Sequence, residues 1–322
     1  MENSEVFTQN LYVDKIQSMR QTISQYILGQ ERMADLILTA VLADGHVLIE
    51  GVPGVAKTLT SRLIARLVDA DFSRIQFTSD IMPSDVLGTN IFNQSNSQFE
   101  FHKGPAFGNI VLVDEINRAP AKTQSALFEV MEERQVTVDG IRYPMGSIYT
   151  ILATQNPIEQ EGTYRLPEAQ MDRFLFKISV GYPSFTDEVN IMKEHNTNRN
   201  FTKLEEVKPI LTRSELEELR QKAQSVFIDD KMLNYIVSMV QATRTNSAIY
   251  IGASPRASIA LLNASKAYAL LQGRDFVIPD DIKMLAKPVL CHRITLTAEA
   301  ELEGNTIDNV INNIVGKVEV PK

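Results

Sequence analysis

The chain has 322 residues, of which 44% are hydrophobic and 22% are charged, which favours a globular protein of two domains. Its formal net charge of -8 argues against a general attraction for nucleic acid phosphates or anionic lipid. No apolar run is long enough to predict a membrane span. The chain has a single cysteine, Cys291, to which we assign no role, and this agrees with the reducing cytoplasm, where we expect the protein to be.

Two successive patterns divide the chain. Residues 11–43 are predicted to form two helices, and between residues 46 and 180 short apolar runs alternate with helical patterns, which is typical of a parallel sheet flanked by helices. Beyond that the apolar residues follow helical spacing, which predicts an α/β core over 1–182 and an all-α lid over 183–322. Strands are expected at residues 46–50, 73–78, 109–114, 149–154 and 174–179, and lid helices at 214–227, 230–244, 255–272 and 278–290.

The segment GVPGVAKT lies directly after the first predicted strand and directly before a helix. Its glycines allow backbone N–H groups to surround phosphate oxygens, and the helix directs its positive N-terminal end at the same charge. Lys57 would add a positive charge, and Thr58 a hydroxyl ligand for Mg²⁺. We expect Ala56, which replaces the last glycine of this motif, to be tolerable only if its φ is negative. The predicted phosphate-binding residues are Gly51, Val52, Pro53, Gly54, Val55, Ala56, Lys57, Thr58 and Leu59.

The third predicted strand, NIVLVD, ends in two carboxylates. Parallel sheets place their ligands at the carboxyl ends of the strands. Asp114 is therefore predicted to hold Mg²⁺ through its water shell, and Glu115 to orient and polarise the water that attacks the γ-phosphate. An apolar run followed by Asp-Glu also describes a strand that ends in water, and the phosphate-binding loop upstream favours the catalytic interpretation.

The next strand along the chain is followed by Asn156, whose amide could contact the γ-phosphate or the attacking water. The alternative is an ordinary polar turn, because an Asn-Pro pair such as that at 156–157 commonly ends a strand.

Two segments of the core are predicted to form β-hairpins that project from the sheet. In the first, residues 90–93 and 98–102 flank the polar turn QSNS, and in the second Val136 and Val138 alternate into the turn Asp139-Gly140. A surface loop without a function is the alternative for both.

Together these residues resemble the AAA+ superfamily and, in finer detail, its MoxR family, through GVPGVAKT, LVDEINRAP, LFEVMEERQVTVDG, ILATQNPIEQEGTYRLPEAQMDRF and GASPRA. The resemblance implies ATP and Mg²⁺ as ligands, and an AAA+ core with a parallel five-stranded sheet followed by a helical lid. It also implies that Asn156 is sensor 1, that Arg256 is sensor 2, and that Arg173 is an arginine finger reaching the ATP of a neighbouring subunit. Arg165 is a second candidate for the finger, or else a solvated loop charge.

A weaker match concerns Ile27, Gly29 and Gln30, which correspond to the segment bordering adenine in this superfamily. The same residues could equally form a helix end with Gly29 in the left-handed conformation.

The resemblance further implies a homo-oligomeric ring, expected to be a hexamer, that uses ATP turnover to remodel a client protein or to insert a metal or cofactor into it. One alternative is a nucleic-acid motor or regulator of the same superfamily, which the acidity of the chain and the few basic residues of the first hairpin, His102 and Lys103, disfavour. Another is a nucleotide-gated binding module with little turnover, which Glu115 and Arg173 disfavour.

Overall fold

The computed structural model of the chain describes residues 2–156, 163–164, 166–196 and 204–321, with side chains from Tyr12 onward. The predicted parallel five-stranded sheet is confirmed, and each predicted strand matches an observed one to within about two residues at either end. The strands are β1 (Val47–Gly51), β2 (Phe72–Gln76), β3 (Gly88–Asn93), β4 (Gln98–Lys103), β5 (Ile110–Asp114), β6 (Gln135–Val138), β7 (Ile141–Pro144), β8 (Thr150–Gln155), β9 (Phe176–Val180), β10 (Ile249–Ile251) and β11 (Thr295–Leu296).

Helices cover the sheet and form most of the second half of the chain. Across the described ranges, no helix combines the length and the apolarity needed to cross a membrane. The helices are α1 (Glu2–Tyr26), α2 (Glu31–Leu42), α3 (Lys57–Leu67), α4 (Pro83–Leu87), α5 (Ala121–Glu133), α6 (Glu168–Met171), α7 (Phe185–Asn196), α8 (Arg213–Ser225), α9 (Asp230–Thr245), α10 (Pro255–Leu271), α11 (Pro279–Leu290), α12 (Ala298–Leu302) and α13 (Ile307–Lys317).

The central sheet has the strand order β2-β5-β8-β1-β9, and all four of its pairings are parallel. Because successive side chains of a strand point to opposite faces, β1 contributes side chains to two separate apolar cores, one on each face of the sheet. Val47 and Ile49 belong to the core shared with α2, α3 and the lid helices, whereas Leu48 belongs to the core shared with α5. Both faces of the sheet are therefore covered, as the apolar strands predict.

The second half of the chain is a helical bundle in which α10 packs against α8, α9 and α11. It also contains the short antiparallel pair β10–β11, which the sequence pattern did not reveal. Strands of three and two residues are too short for an alternating pattern to be detected. The helix α2 packs against α10 and α8, so the segment before the sheet joins the core to the lid. The division at residue 182 stays a prediction.

The two predicted hairpins are present as β3–β4 and β6–β7. In the second hairpin Asp139 and Gly140 both have positive φ, 49° and 80°, as the predicted two-residue turn requires. The hairpins contact each other, because Phe101 stacks on Tyr143 at 4.2 Å between ring centroids and Asn90 donates a hydrogen bond to Asp139. They therefore form one projecting unit rather than two independent loops.

The backbone conformation at the start of α3 differs from one expectation, which concerns Ala56. Its φ is +59° and its ψ is 18°, so the negative φ that we expected for this alanine is wrong. The left-handed conformation lets the loop turn directly into the helix, with Ala56 as the N-cap residue whose carbonyl accepts from Thr60 at 2.9 Å. The methyl group is accommodated at a cost of about 1–2 kcal/mol in backbone strain.

Replacement of this residue by glycine, Ala56→Gly, is expected to raise the free energy of unfolding by about 1 kcal/mol. Relief of the left-handed strain exceeds the entropy that the unfolded chain gains from an added glycine. Urea denaturation measures the change. The matched control is Ala43→Gly, at a residue whose φ is -80°, which should lower the stability instead. Equal destabilisation by both variants would contradict the assignment of strain to Ala56.

Two histidines are buried in the core. His46, 4% exposed, accepts a hydrogen bond on Nδ1 from the backbone N–H of Ile151 at 3.0 Å, and its Nε2 lies 3.3 Å from the carbonyl of Met131. Burial, reinforced by the nearby Arg134 charge, lowers the pKa of His46 to about 3. Burial likewise lowers the pKa of His292 well below its usual value. Both imidazoles are therefore neutral in the folded protein.

This burial makes the stability depend on pH in a defined direction. Because the folded-state pKa of His46 lies below the unfolded value of 6.5, its contribution is complete above pH 6.5 and is lost as the pH falls towards about 3. His46→Gln is expected to reduce the slope of unfolding free energy against pH in this window by about 1.4 kcal/mol per pH unit. Denaturant titrations across the window measure it, and the exposed His102→Gln should leave the slope unchanged.

Candidate functional site

The predicted phosphate-binding loop lies between β1 and α3, the position that the sequence indicates. Gly54 has a φ of +87°, which favours glycine, and a side chain on Gly51 would meet the Val180 carbonyl oxygen at 2.6 Å. Lys57 is the first residue of α3, and its Nζ donates to the Gly51 carbonyl at 2.7 Å. The lysine side chain therefore folds back over the loop that it would serve, and Thr58 follows it in the first turn of the helix.

Asp114 ends β5 and is 7% exposed. Its Oδ2 accepts from Arg74 Nε at 2.6 Å, and its Oδ1 accepts from the Thr154 hydroxyl at 3.1 Å. Both oxygens thus have donors, so the carboxylate is held in one orientation between β2 and β8.

Glu115 follows directly and adopts a left-handed conformation, with a φ of 57° and a ψ of 50°. Its N–H donates to the Thr154 hydroxyl at 3.0 Å, and its Oε2 accepts from Gln76 at 2.9 Å and lies 3.0 Å from Arg118 Nε. A glutamate in this region is strained by about 1–2 kcal/mol, and such strain is concentrated at functional sites. The turn directs its carboxylate away from the buried strand, on the side of the β2 end.

Lys57, Asp114 and Glu115 share one electrostatic environment. Burial lowers the pKa of Lys57, and the charges of the two carboxylates oppose this effect. The ammonium group is therefore close enough to both acids to interact with them. One lysine and two carboxylates at the start of a helix can bind a polyphosphate with its divalent cation.

The donor set is suited to Mg²⁺ bound together with a nucleotide. Among the described residues, no three histidine, cysteine, aspartate or glutamate side chains form a group that could hold a metal ion by themselves. Asp114 and the Thr58 hydroxyl are hard oxygen donors of the kind that Mg²⁺ prefers, and this ion commonly takes its remaining ligands from phosphates and water.

Arg173 and Arg256 lie side by side. Arg173 Nε is 2.9 Å from Glu132 Oε2, and its guanidinium lies 6.0 Å from the centre of the Phe128 ring. Arg256, the second residue of α10, donates from Nη2 to Glu132 Oε1 at 3.1 Å. One carboxylate thus holds two arginines, and its negative charge offsets the unfavourable position of Arg256 in the first turn of a helix.

These arginines lie at the edge of the sheet opposite the phosphate-binding loop. Arg173 precedes Phe176, which pairs with Val47 at the start of β1, whereas Gly51 at its end pairs with Val180. The two ends of β1 are separated by roughly 13 Å. The structure therefore brings the loop and the acids together, and the two arginines together, but not one group to the other.

The segment before α2 contacts the end of β9 and the first turn of α7. Gln30 Nε2 donates to the Gly181 carbonyl at 3.1 Å, and a side chain on Gly29 would meet Asp187 at 2.9 Å. Gly29 has a φ of +72°, the left-handed conformation that we considered, while Ile27 is 1% exposed. The proposed adenine border and a helix end are both compatible with this geometry.

Asn156 directly follows β8 and is partly exposed at the same edge of the sheet as Glu115. Pro157 and the second finger candidate, Arg165, lie outside the described residues.

Several residues that complete the site were not predicted. Arg74 and Gln76 alternate on β2 and reach the two acids, but an arginine and a glutamine on a strand are more simply explained by exposure to solvent. Their spacing of two residues was the available signal. No sequence pattern indicated Glu132, because its two partners are distant from it in the sequence.

Comparisons with known proteins find similarity in both halves of the chain. Residues 46–176 match the ATPase family associated with various cellular activities (AAA), and residues 241–314 match the AAA lid domain. The crystal structure of a candidate ATPase from Cytophaga hutchinsonii superposes over 100% of both chains with a TM-score of 0.91 and 42% identity.

Relatives of similar sequence include two whose names contain MoxR. The chain is 48% identical over 299 residues to the uncharacterized protein YeaC of Bacillus subtilis, covering 93% of this chain and 92% of the relative. It is 44% identical over 309 residues to Chaperone MoxR1 of Mycobacterium tuberculosis, covering 93% and 81%, and 30% identical over 297 residues to Protein MoxR of Paracoccus denitrificans, covering 85% and 87%. The chain therefore belongs to the MoxR family of AAA+ ATPases.

Proposed function

We propose that this chain hydrolyses ATP at a site that a second copy of the chain completes. The observation that carries the proposal is the convergence of Lys57, Asp114 and Glu115 at the carboxyl edge of the sheet, beside a glycine loop and a helix N-terminus. Triphosphate recognition requires such a combination of backbone donors, a cation and metal-binding oxygens.

Each residue has a distinct role in this proposal. Lys57 binds the β- and γ-phosphates, for which it gives up its hydrogen bond to the Gly51 carbonyl. Glu115 orients the attacking water and accepts its proton, and Gln76 limits the rotation of the carboxylate. Asn156, at the end of β8, contacts the γ-phosphate or the water. Gln30 borders the adenine.

Mg²⁺, when bound, would neutralise charge on the phosphate oxygens during transfer. Thr58 would supply a direct hydroxyl ligand. Because both oxygens of Asp114 already accept hydrogen bonds from Arg74 and Thr154, we propose that this carboxylate holds the water shell of the ion.

The arginines are proposed to act in trans. Arg173 and Arg256 lie at the opposite edge of the sheet from the loop of their own chain, held together by Glu132. A second copy that presents this edge to the first chain's loop would place two guanidinium groups near the γ-phosphate. Arginine stabilises the charge that spreads over the phosphoryl oxygens in the transition state.

We further propose that the copies form a ring, expected to be a hexamer, that remodels a client protein in its maturation or in metal or cofactor insertion. The support is family membership, a relative named a chaperone, and the exposed apolar side chains of the first hairpin, Ile91, Phe92 and Phe99. Apolar patches favour contacts with protein. A nucleic-acid motor is less favoured, because only His102 and Lys103 are basic in this hairpin. The cytoplasmic location stays a prediction.

Two substitutions separate nucleotide binding from hydrolysis. Lys57→Ala is expected to abolish ATP binding, because it removes the cation of the loop, whereas Glu115→Gln should retain ATP and stop turnover, because an amide accepts no proton from water. Calorimetry with Mg²⁺ and ATP measures binding, phosphate release measures turnover, and the solution mass of ATP-trapped Glu115→Gln reports assembly.

Normal turnover by either variant would refute the assigned roles. Wild-type protein that binds ATP without hydrolysing it would instead support a nucleotide-gated binding module. Lys177→Ala is a control for Lys57→Ala, since Lys177 is another partly buried lysine of the core, paired with Glu50 at 3.0 Å.

Mixed assemblies test whether the arginines act in trans. Arg173→Ala is expected to lower turnover by about 10³-fold, with ATP binding retained. Co-purified assemblies of Arg173→Ala and Glu115→Gln subunits should recover activity, because the second subunit supplies the arginine that the first lacks. The same assay applied to Arg256→Ala and Arg165→Ala ranks the three arginines.

Arg213→Ala is the control here, because it removes an exposed ion pair, with Asp71, that lies away from the site. Mixed assemblies that form but stay inactive would refute action in trans by Arg173.

A further inference from the structure

The segment that carries Arg173 is held by one buried arginine of the lid, Arg293. Its side chain is 4% exposed, and its Nε lies 2.6 Å from Asp172 Oδ1. Nη2 donates to the carbonyls of Asp172 at 3.1 Å and Phe174 at 2.7 Å, and Nη1 donates to the carbonyl of Leu175 at 3.2 Å. The guanidinium therefore binds the backbone on both sides of Arg173.

Neighbouring lid residues reinforce this contact. His292 Nε2 donates to the Phe174 carbonyl at 2.9 Å, and Arg293 Nη1 also donates to the carbonyl of Val289 in α11. Burial lowers the pKa of Arg293, and the Asp172 carboxylate opposes this effect. The planar fork of arginine bonds five acceptors here, more than the three donors of a lysine could satisfy.

Asp172 extends the connection to the second arginine. Its Oδ2 accepts from the hydroxyl of Ser254 at 3.3 Å, and Ser254 is the N-cap of α10, the helix whose second residue is Arg256. One carboxylate thus contacts both Arg293, three residues after the end of α11, and Ser254 at the start of α10. The backbones that carry Arg173 and Arg256 are fixed to each other through it, while Glu132 joins the two side chains.

We propose that Arg293 is a positioning residue for the trans arginines: with Asp172 it makes the lid and the Arg173 segment one rigid body that presents both guanidiniums to the neighbouring subunit. The inference rests on the proposed function. It adds that a subunit's lid governs hydrolysis in the neighbour's site, and that Arg293 itself contacts no nucleotide.

A matched structural control is available in Arg220, a second buried arginine of the lid. It donates from Nε to the Val41 carbonyl at 2.8 Å and from Nη1 to the Ser147 carbonyl at 2.9 Å, and it is 7% exposed. It joins lid to core as Arg293 does, but these partners lie outside the Arg173 segment. Loss of Arg220 should therefore lower stability without affecting arginine donation.

The experiment separates the two roles of a subunit in mixed assemblies. For donation, subunits carrying both Arg293→Met and Glu115→Gln are co-purified with Arg173→Ala subunits, and phosphate release is compared with that of the Glu115→Gln and Arg173→Ala pair. For acceptance, subunits carrying both Arg293→Met and Arg173→Ala are co-purified with Glu115→Gln subunits, and phosphate release is compared with that of the same reference pair. The control variant Arg220→Met is measured in both assays in place of Arg293→Met.

We expect Arg293→Met to reduce donation by about a hundredfold, the loss that a misplacement of about 1 Å causes, and to leave acceptance and ATP affinity unchanged. Arg293→Lys should recover part of the donation, because it keeps the charge beside Asp172 but loses most of the carbonyl contacts. If the methionine variant does not fold, the lysine variant provides the same comparison.

Unchanged donation, or equal losses of donation and acceptance, would overturn the inference and leave a structural role for Arg293. The inference would also be overturned if Arg220→Met reduced donation and left acceptance unchanged to the same extent as Arg293→Met. An inactive reference pair would remove the proposed trans site together with this inference, whereas an active reference with symmetric effects would remove the inference alone.

Discussion

The parallel register of the central sheet is the constraint on which the candidate site depends. Parallel strands all end at the same edge, and here Gln76 pairs with Asp114 while Ile49 pairs with Thr154. The loop after β1, the acids after β5 and the polar end of β8 consequently emerge side by side, although about 100 residues separate the first from the last. A shift in the pairing of any of these strands would separate the lysine from the carboxylates.

The same topology keeps Arg173 and Arg256 away from the loop and the acids of their own chain, which is why the proposed site needs a second copy. The arginines come from the segment that enters β9 and from the start of α10, at the other edge of the sheet. Closing this separation within one chain would require a rearrangement of the packed core, since β9 is bonded to β1 along its whole length. Association of two copies could bring complementary edges together without disturbing either core.

Much of the fold followed from the sequence because apolar periodicity reports burial directly. The strands of the central sheet, the two hairpins and the four predicted lid helices are each encoded by their own residues. The loop between β1 and α3 could likewise be predicted, since its glycines, lysine and threonine lie within eight residues, while its binding of phosphate stays a prediction. The conformation of Ala56 could not, because its φ depends on how the loop joins α3. The shared partner of Arg173 and Arg256 also escaped notice, since Glu132 lies far from both along the chain and only folding brings the three together.

Glu132 has a consequence for a subunit outside an assembly. With its carboxylate between them, one of the two guanidinium charges is compensated, and monovalent anions in the surrounding solution gain less by binding there than at two free arginines. A ligand must offer several negative charges, delivered in a suitable orientation, to displace that carboxylate. If the arginines act in trans as proposed, the resting arrangement of these three side chains thus favours a polyanion docked on another protein over small anions in solution.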